Sequence, residues 1–152
     1  MSLFGALDIS ASGLSAERMR MDVTAENLAN AQTTRGPDGG PYRRKDVVLQ
    51  TATGSDFGAA LTAAAGVVPG ARNGQQPGGV QVAGIVESQA APRRIYDPGH
   101  PDADAEGYVA MPDVNPVTEM VDLISASRAY EANVTAMQTA KTMFTKTFEL
   151  LR

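Results

Sequence analysis

The 152-residue sequence predicts a mainly α fold with a small β-rich insertion. The N- and C-terminal helices are expected to pair as an antiparallel coiled coil, with the middle segment as a small β protrusion and a flexible loop. Two observations lead there. Seven-residue apolar repeats occupy both ends of the chain, and turn-forming Gly and Pro concentrate between them. A seven-residue repeat of apolar positions is the pattern of a helix packed lengthwise on another helix.

The C-terminal element is the more regular. Leu123, Tyr130, Met137, Phe144 and Leu151 recur at heptad spacing, and Met120, Ser127, Val134, Lys141 and Phe148 lie three residues earlier in each heptad. Asn115-Pro116 supplies the start, with Asn as N-cap and Pro at the first helical position. No Pro or Gly follows before Arg152. Burial of the five strongest seam residues is worth roughly 1.5–3 kcal/mol each. Ordering the backbone costs about 1–2 kcal/mol per residue. Such a helix needs a surface to pack on.

Leu3 to about Ala31 reads as a second helix. Leu7, Leu14, Met21 and Leu28 form one heptad series, and Ile9, Ala16 and Val23 form another, displaced by two positions. Two residues turn a helix by about 200°, so the two stripes lie on nearly opposite faces. The helix is either buried in a three-layer bundle or packed on its own chain on one side and on neighbouring subunits on the other. Ala11, Ser12, Gly13, Ala16, Ala25 and Ala29 would permit close approach. The expected helix-pair packing set is Leu7, Leu14, Met21 and Leu28 with Met120, Leu123, Tyr130, Val134, Met137, Phe144, Phe148 and Leu151. Intersubunit contact is expected at Ile9, Ala16, Val23, Asn27 and Asn30.

Between the helices, Gly36-Pro37-Asp38-Gly39-Gly40-Pro41 is a dense turn signal. Tyr42–Thr51 reads as a strand, opened by Arg43-Arg44-Lys45, which forms either a solvated strand end or a contact with an acidic neighbour. Thr53–Gly79 is rich in Ala, Gly and Pro and reads as a flexible loop, with a short helical turn near Phe57–Ala65. Val80–Gln89 reads as a second strand, in which Gly84 marks a bulge or a close backbone approach. Ala91–Glu106 reads as an irregular arm and Gly107–Met111 as a short third strand. The expected partition is a helical domain of residues 1–34 and 115–152, with 35–114 as the excursion.

Composition narrows the function. The net charge of −4 comes without a basic face, which argues against a nucleic-acid partner. There is no Cys, hence no thiolate nucleophile, disulfide or thiolate metal site. The one His, His100, has no positioned Ser partner and reads as a loop residue bonding locally. Asp102, Asp104, Glu106 and Gly107 match the opening of a calcium-binding loop, but Asp113 stands where a bidentate Glu belongs and Pro112 precedes it. The alternative is an exposed acidic turn. No catalytic residue, cofactor site or metal site is assigned, and no enzyme activity is expected. Neither a secretory signal nor a membrane-spanning run is expected.

Two segments then carry a resemblance. Ser10-Ala11-Ser12-Gly13-Leu14-Ser15-Ala16 with Asn27-Leu28-Ala29-Asn30-Ala31, and the run from Glu119 to Val134, resemble the bacterial flagellar axial proteins, a family of rod, hook and related subunits. The likeness extends over residues 3–50 and 80–152. Glu26 stands where many axial proteins carry Asn, and residues 53–79 are longer and richer in Ala and Gly than is usual there. The resemblance implies a structural subunit of the proximal rod of the flagellar basal body, polymerising helically to transmit torque and surround an export channel. Its partners would be copies of itself, other flagellar rod proteins and the flagellar type III export apparatus. Its place would be the rod spanning the periplasm, reached without a cleaved signal. The competing reading is a self-contained coiled-coil adaptor that does not polymerise.

Overall fold

The computed structural model describes residues 3–36, 39–53 and 77–150. In chain order the elements are α1 (Leu3–Ala29), β1 (Lys45–Thr53), β2 (Pro77–Glu87), β3 (Arg93–Tyr96), β4 (Tyr108–Met111) and α2 (Pro116–Leu150). β1 pairs with β2, and β3 pairs with β4, in two separate two-stranded sheets. The mainly α composition with small β additions agrees with the sequence reading. The flexible-loop and helical-turn expectations for residues 54–76 lie outside the described residues.

The chain divides into two compact units. One comprises the described residues among 1–16, 49–83 and 130–152, and the other those among 17–48 and 84–129. Each draws on both ends of the chain and on its middle.

In the first unit, α1 meets the start of β2 and the body of α2 through small residues. The Ser12 hydroxyl donates to the Ile9 carbonyl at 2.7 Å and accepts the Val80 N–H at 3.1 Å. Gly79 lies directly over it at a φ of 81°, and a Cβ there would overlap Ser12 Oγ. A Cβ at Gly13 would stand 3.0 Å from Asn133 Nδ2. Close approach was expected of α1's small residues, and Ser12, Gly13 and buried Ala16 provide it, while Ala11, Ala25 and Ala29 are exposed. Gly84 is not the tight position in β2, since a Cβ there would meet nothing within 4 Å.

In the second unit, α2 starts as its sequence indicates. Asn115 Oδ1 accepts the Val117 N–H at 3.0 Å, and the Asn115 carbonyl accepts the Glu119 N–H. Asn30 closes α1, donating its side-chain amide to the Glu26 carbonyl at 2.9 Å and accepting the Thr33 hydroxyl at 3.1 Å. The β3–β4 pair is antiparallel, with Arg93 opposite Met111 and Tyr96 opposite Tyr108. Residues 93–96 correct the expectation of an irregular arm. All four are exposed, so the strand shows no alternation in sequence and exists because β4 supplies its ladder. Val109 of β4 is buried, as are Pro112 and Val114 after it.

Further along, α2 carries a series of threonines. The hydroxyls of Thr135, Thr139, Thr142, Thr145 and Thr147 each donate to a backbone carbonyl three or four residues back. No helix among the described residues is long and apolar enough to cross a membrane.

The two β2 glycines give a direct test. Gly79→Ala forces a side chain into the left-handed region against Ser12 and is expected to cost at least about 1 kcal/mol, whereas Gly84→Ala is expected to be near neutral. Urea denaturation midpoints of the two variants check this.

Candidate functional site

The most constrained part of the second unit is a buried polar cluster joining the end of α1, the start of β1 and the first turns of α2. Asn27 is 1% exposed and all its hydrogen-bonding capacity is used. Its amide nitrogen donates to the Lys45 carbonyl at 2.8 Å and to Glu119 Oε2 at 3.1 Å. Its oxygen accepts the Lys45 N–H at 2.9 Å and the Tyr42 hydroxyl at 2.9 Å. Toward Lys45 the side chain behaves as a neighbouring strand would, answering both the N–H and the C=O of one residue.

Glu119 is also 1% exposed. Its second oxygen accepts Arg44 Nε at 2.7 Å. Arg44 in turn pairs with Asp46 and stands 3.9 Å from Asp122. Burial lowers the Arg44 pKa, but the hydrogen bond and charge of Glu119, and then Asp46, outweigh it, so the net shift is upward. A buried carboxylate is tolerated only when paired and hydrogen-bonded, and both conditions hold here. Around the cluster, Lys45 Nζ pairs with Glu26 at 2.6 Å and sits 5.6 Å from the centre of the Tyr42 ring. An open cleft of about 570 Å³ lies beside it, bounded by Glu26, Tyr42, Arg44, Lys45, Glu87 and Asp113.

Tyr42 is the cluster's titrating member. Its pKa is pushed up from 10.0 to about 12, chiefly by burial and then by the charges of Glu26, Glu119 and Glu87. Ionisation would remove the proton that it donates to Asn27.

The acidic turn is arranged differently from a cation site. Asp102 is held by Thr34 at 2.8 Å and by Arg35. Asp104 accepts the Tyr108 and Glu106 N–H groups at 2.8 and 3.0 Å, and Arg94 at 2.6 Å. These contacts, the Tyr108 N–H foremost, hold the Asp104 carboxyl below its ordinary range. His100 accepts the Asp102 N–H at 3.1 Å, the local bond expected of a loop histidine. Among the described residues, no group of three or more His, Asp or Glu side chains is placed to hold a metal ion.

The expected packing residues fall unevenly. Leu123, Tyr130, Val134 and Met137 are half-buried on α2, as are Leu7, Leu14, Met21 and Leu28 on α1. Met120 is 46% exposed. The buried positions are Glu119 and Ala126, one residue earlier in the heptad than Met120 and Ser127, because Glu119 has partners inside and small Ala126 permits close packing. Phe144 is 36% exposed, and the side chains of Phe148 and Leu151 lie outside the described residues. On α1, Ala16, Val23 and Asn27 were expected at intersubunit contacts. They are 2%, 5% and 1% exposed, covered by their own chain. Ile9 and Asn30 are half-buried. Of the basic triplet, Arg44 and Lys45 meet acidic neighbours. Glu119 was missed because a charged residue next to Met120 reads as solvent-facing; its one-heptad spacing to Ala126 was the available signal.

Comparison with known proteins places this geometry. A family model described as flagella basal body rod protein matches residues 7–37, and one described as flagellar basal body rod FlgEFG protein C-terminal matches residues 105–150. The chain is 45% identical to the flagellar basal-body rod protein FlgC of Salmonella typhimurium, over 99% of this chain and 98% of that one. It is 46% identical to FlgC of Bacillus subtilis, over 99% of each chain. The chain belongs to the FlgC family of flagellar basal-body rod proteins. FlgC of Aquifex aeolicus is 40% identical, over 98% of this chain and 97% of that one. The hydrogen bond between Asn27 and Glu119 thus joins the two segments that the rod-family models recognise, while Tyr42, Arg44 and Lys45 lie outside both.

Two outcomes test the cluster. Arg44→Ala leaves Glu119 buried with only the Asn27 amide and is expected to cost about 3–5 kcal/mol, read by denaturant unfolding. At high pH the unfolded chain loses the Tyr42 proton first, at about its ordinary value, while the folded chain holds it to about 12. The stabilisation is complete below pH 10.0 and is lost as pH rises towards 12. Tyr42→Phe should remove this component of the alkaline loss of stability, and tyrosinate absorbance should show one late-titrating group fewer.

Proposed function

We propose that the chain is a structural, non-catalytic subunit of the proximal rod of the bacterial flagellar basal body. It polymerises helically with copies of itself and with other rod proteins, transmits motor torque and contributes to the wall of an export channel. Membership of the FlgC family over nearly its whole length supports the rod assignment. The observation that carries the polymer reading is an apolar stripe that its own chain leaves uncovered. Val117, Met120, Val121 and Ile124 are 68%, 46%, 60% and 54% exposed, and they follow the three- and four-residue spacing of one helix face. They lie opposite Glu119 and Ala126, about half a turn away. A contiguous apolar face of this kind on a helix marks an interaction surface.

The helices are read as an antiparallel coiled-coil pair. Gly13 of α1 abuts Asn133 of α2, and Asn27 of α1 bonds Glu119 of α2. The half-buried stripe of Leu7, Leu14, Met21 and Leu28 is then available both to this pair and to a neighbour. Export through the flagellar type III apparatus without signal cleavage, and residence in the rod across the periplasm, belong to the same reading.

Complementation tests it. In a bacterium deleted for its own FlgC, this chain is expected to restore swimming. The Val121→Asp/Ile124→Asp variant is expected to keep its helix content by circular dichroism, to build no rods and to leave the cells non-motile. Full swimming with that variant would remove the stripe from the assembly reading. A stable dimer that stays closed at every concentration would favour the non-polymerising adaptor instead.

A further inference from the structure

We infer that the Asn27–Glu119–Arg44 cluster, rather than the strength of the apolar stripes, decides which face of α1 turns inward. The helix offers two choices. In the second unit one stripe presents Met21 and Leu28, and the other presents Val23 and Asn27. Ranked by transfer of apolar surface alone, the Met–Leu stripe is the stronger, since Met and Leu each bury more area than Val and an amide opposes burial. The structure takes the weaker stripe. Val23 and Asn27 are 5% and 1% exposed, whereas Met21 and Leu28 are only half-buried.

The reason lies in what α1 faces. The Lys45 N–H and C=O, the Tyr42 hydroxyl and one oxygen of Glu119 all converge on the Asn27 side chain. Turning the Met–Leu stripe inward would rotate Asn27 by more than a quarter turn. Four polar partners would lose their bonds together, and Glu119 would keep only Arg44. Apolar contact is non-directional and tolerates either face, while a four-bond amide tolerates one. A buried polar group that fixes register at some expense in stability is a known specificity device of paired helices. The stronger apolar stripe is thereby held, half-buried, at the flank of the packed face.

The chain has no Cys, so single reporters can be placed in the full-length protein. Val23→Cys and Met21→Cys are made separately, and thiol modification rates are compared under native conditions. With the cluster intact, the thiol at position 23 is expected to react about tenfold slower than that at position 21, as local protection dictates. In the Asn27→Leu/Glu119→Leu background the difference is expected to vanish or invert, with helix content retained by circular dichroism. In Glu119→Gln, which can still accept from the Asn27 amide, the difference is expected to persist. A retained tenfold difference in the double variant would overturn the inference. So would its loss in Glu119→Gln. Loss of helix in the double variant would also overturn it, because the reading requires either face of α1 to be able to fill the inward position.

Discussion

The second unit depends on one amide. Asn27 is where α1, β1 and α2 meet, and it bonds a side chain or backbone group of each neighbour. Its burial is tolerable because every donor and acceptor on it is answered. The same bonds explain why a carboxylate can sit at 1% exposure in the first turns of α2. Glu119 there also lies near the positive end of the helix dipole, which favours its charge. Remove the amide and three separate elements lose their common reference.

The first unit solves the same problem without charge. Its elements come together because Ser12, Gly13 and Gly79 are small, and because one hydroxyl serves α1 and β2 at once. Close approach there is steric, whereas in the second unit it is directional. A chain with few aromatics and much alanine has little bulk to bury, and both solutions economise on bulk.

Much of this was legible in the residues. The two long helices followed from heptad spacing and from Asn115-Pro116, and the cap bonds form as that pair requires. The two longer strands were recognised with ends displaced by two or three residues, since ladder partners rather than local sequence set where a strand stops. β3 was invisible because four exposed residues carry no period. The facing of the helices was the part least accessible. Apolar spacing names the stripes of a helix but not which one wins when a buried amide competes, so Val23 and Asn27 took the inward position expected of Met21 and Leu28. On α2 the same effect brought Glu119 in and left Met120 out. The site was readable as Asn27 and a basic triplet seeking acidic company, but its buried carboxylate was not, since Glu119 lies 75 positions from Arg44.

The threonines of α2 change what that helix offers to its surroundings. Each hydroxyl proton is already committed to a carbonyl of the preceding turn. What points outward is therefore a methyl group and an oxygen lone pair, with no donor to give. Counted by residue type, the region around residues 135–147 is polar. To a passing molecule each of these threonines offers a methyl and an acceptor, while Gln138, Lys141 and Lys146 keep exposed donors among them. Hydropathy summed over residues records the hydroxyls and misses where their protons go.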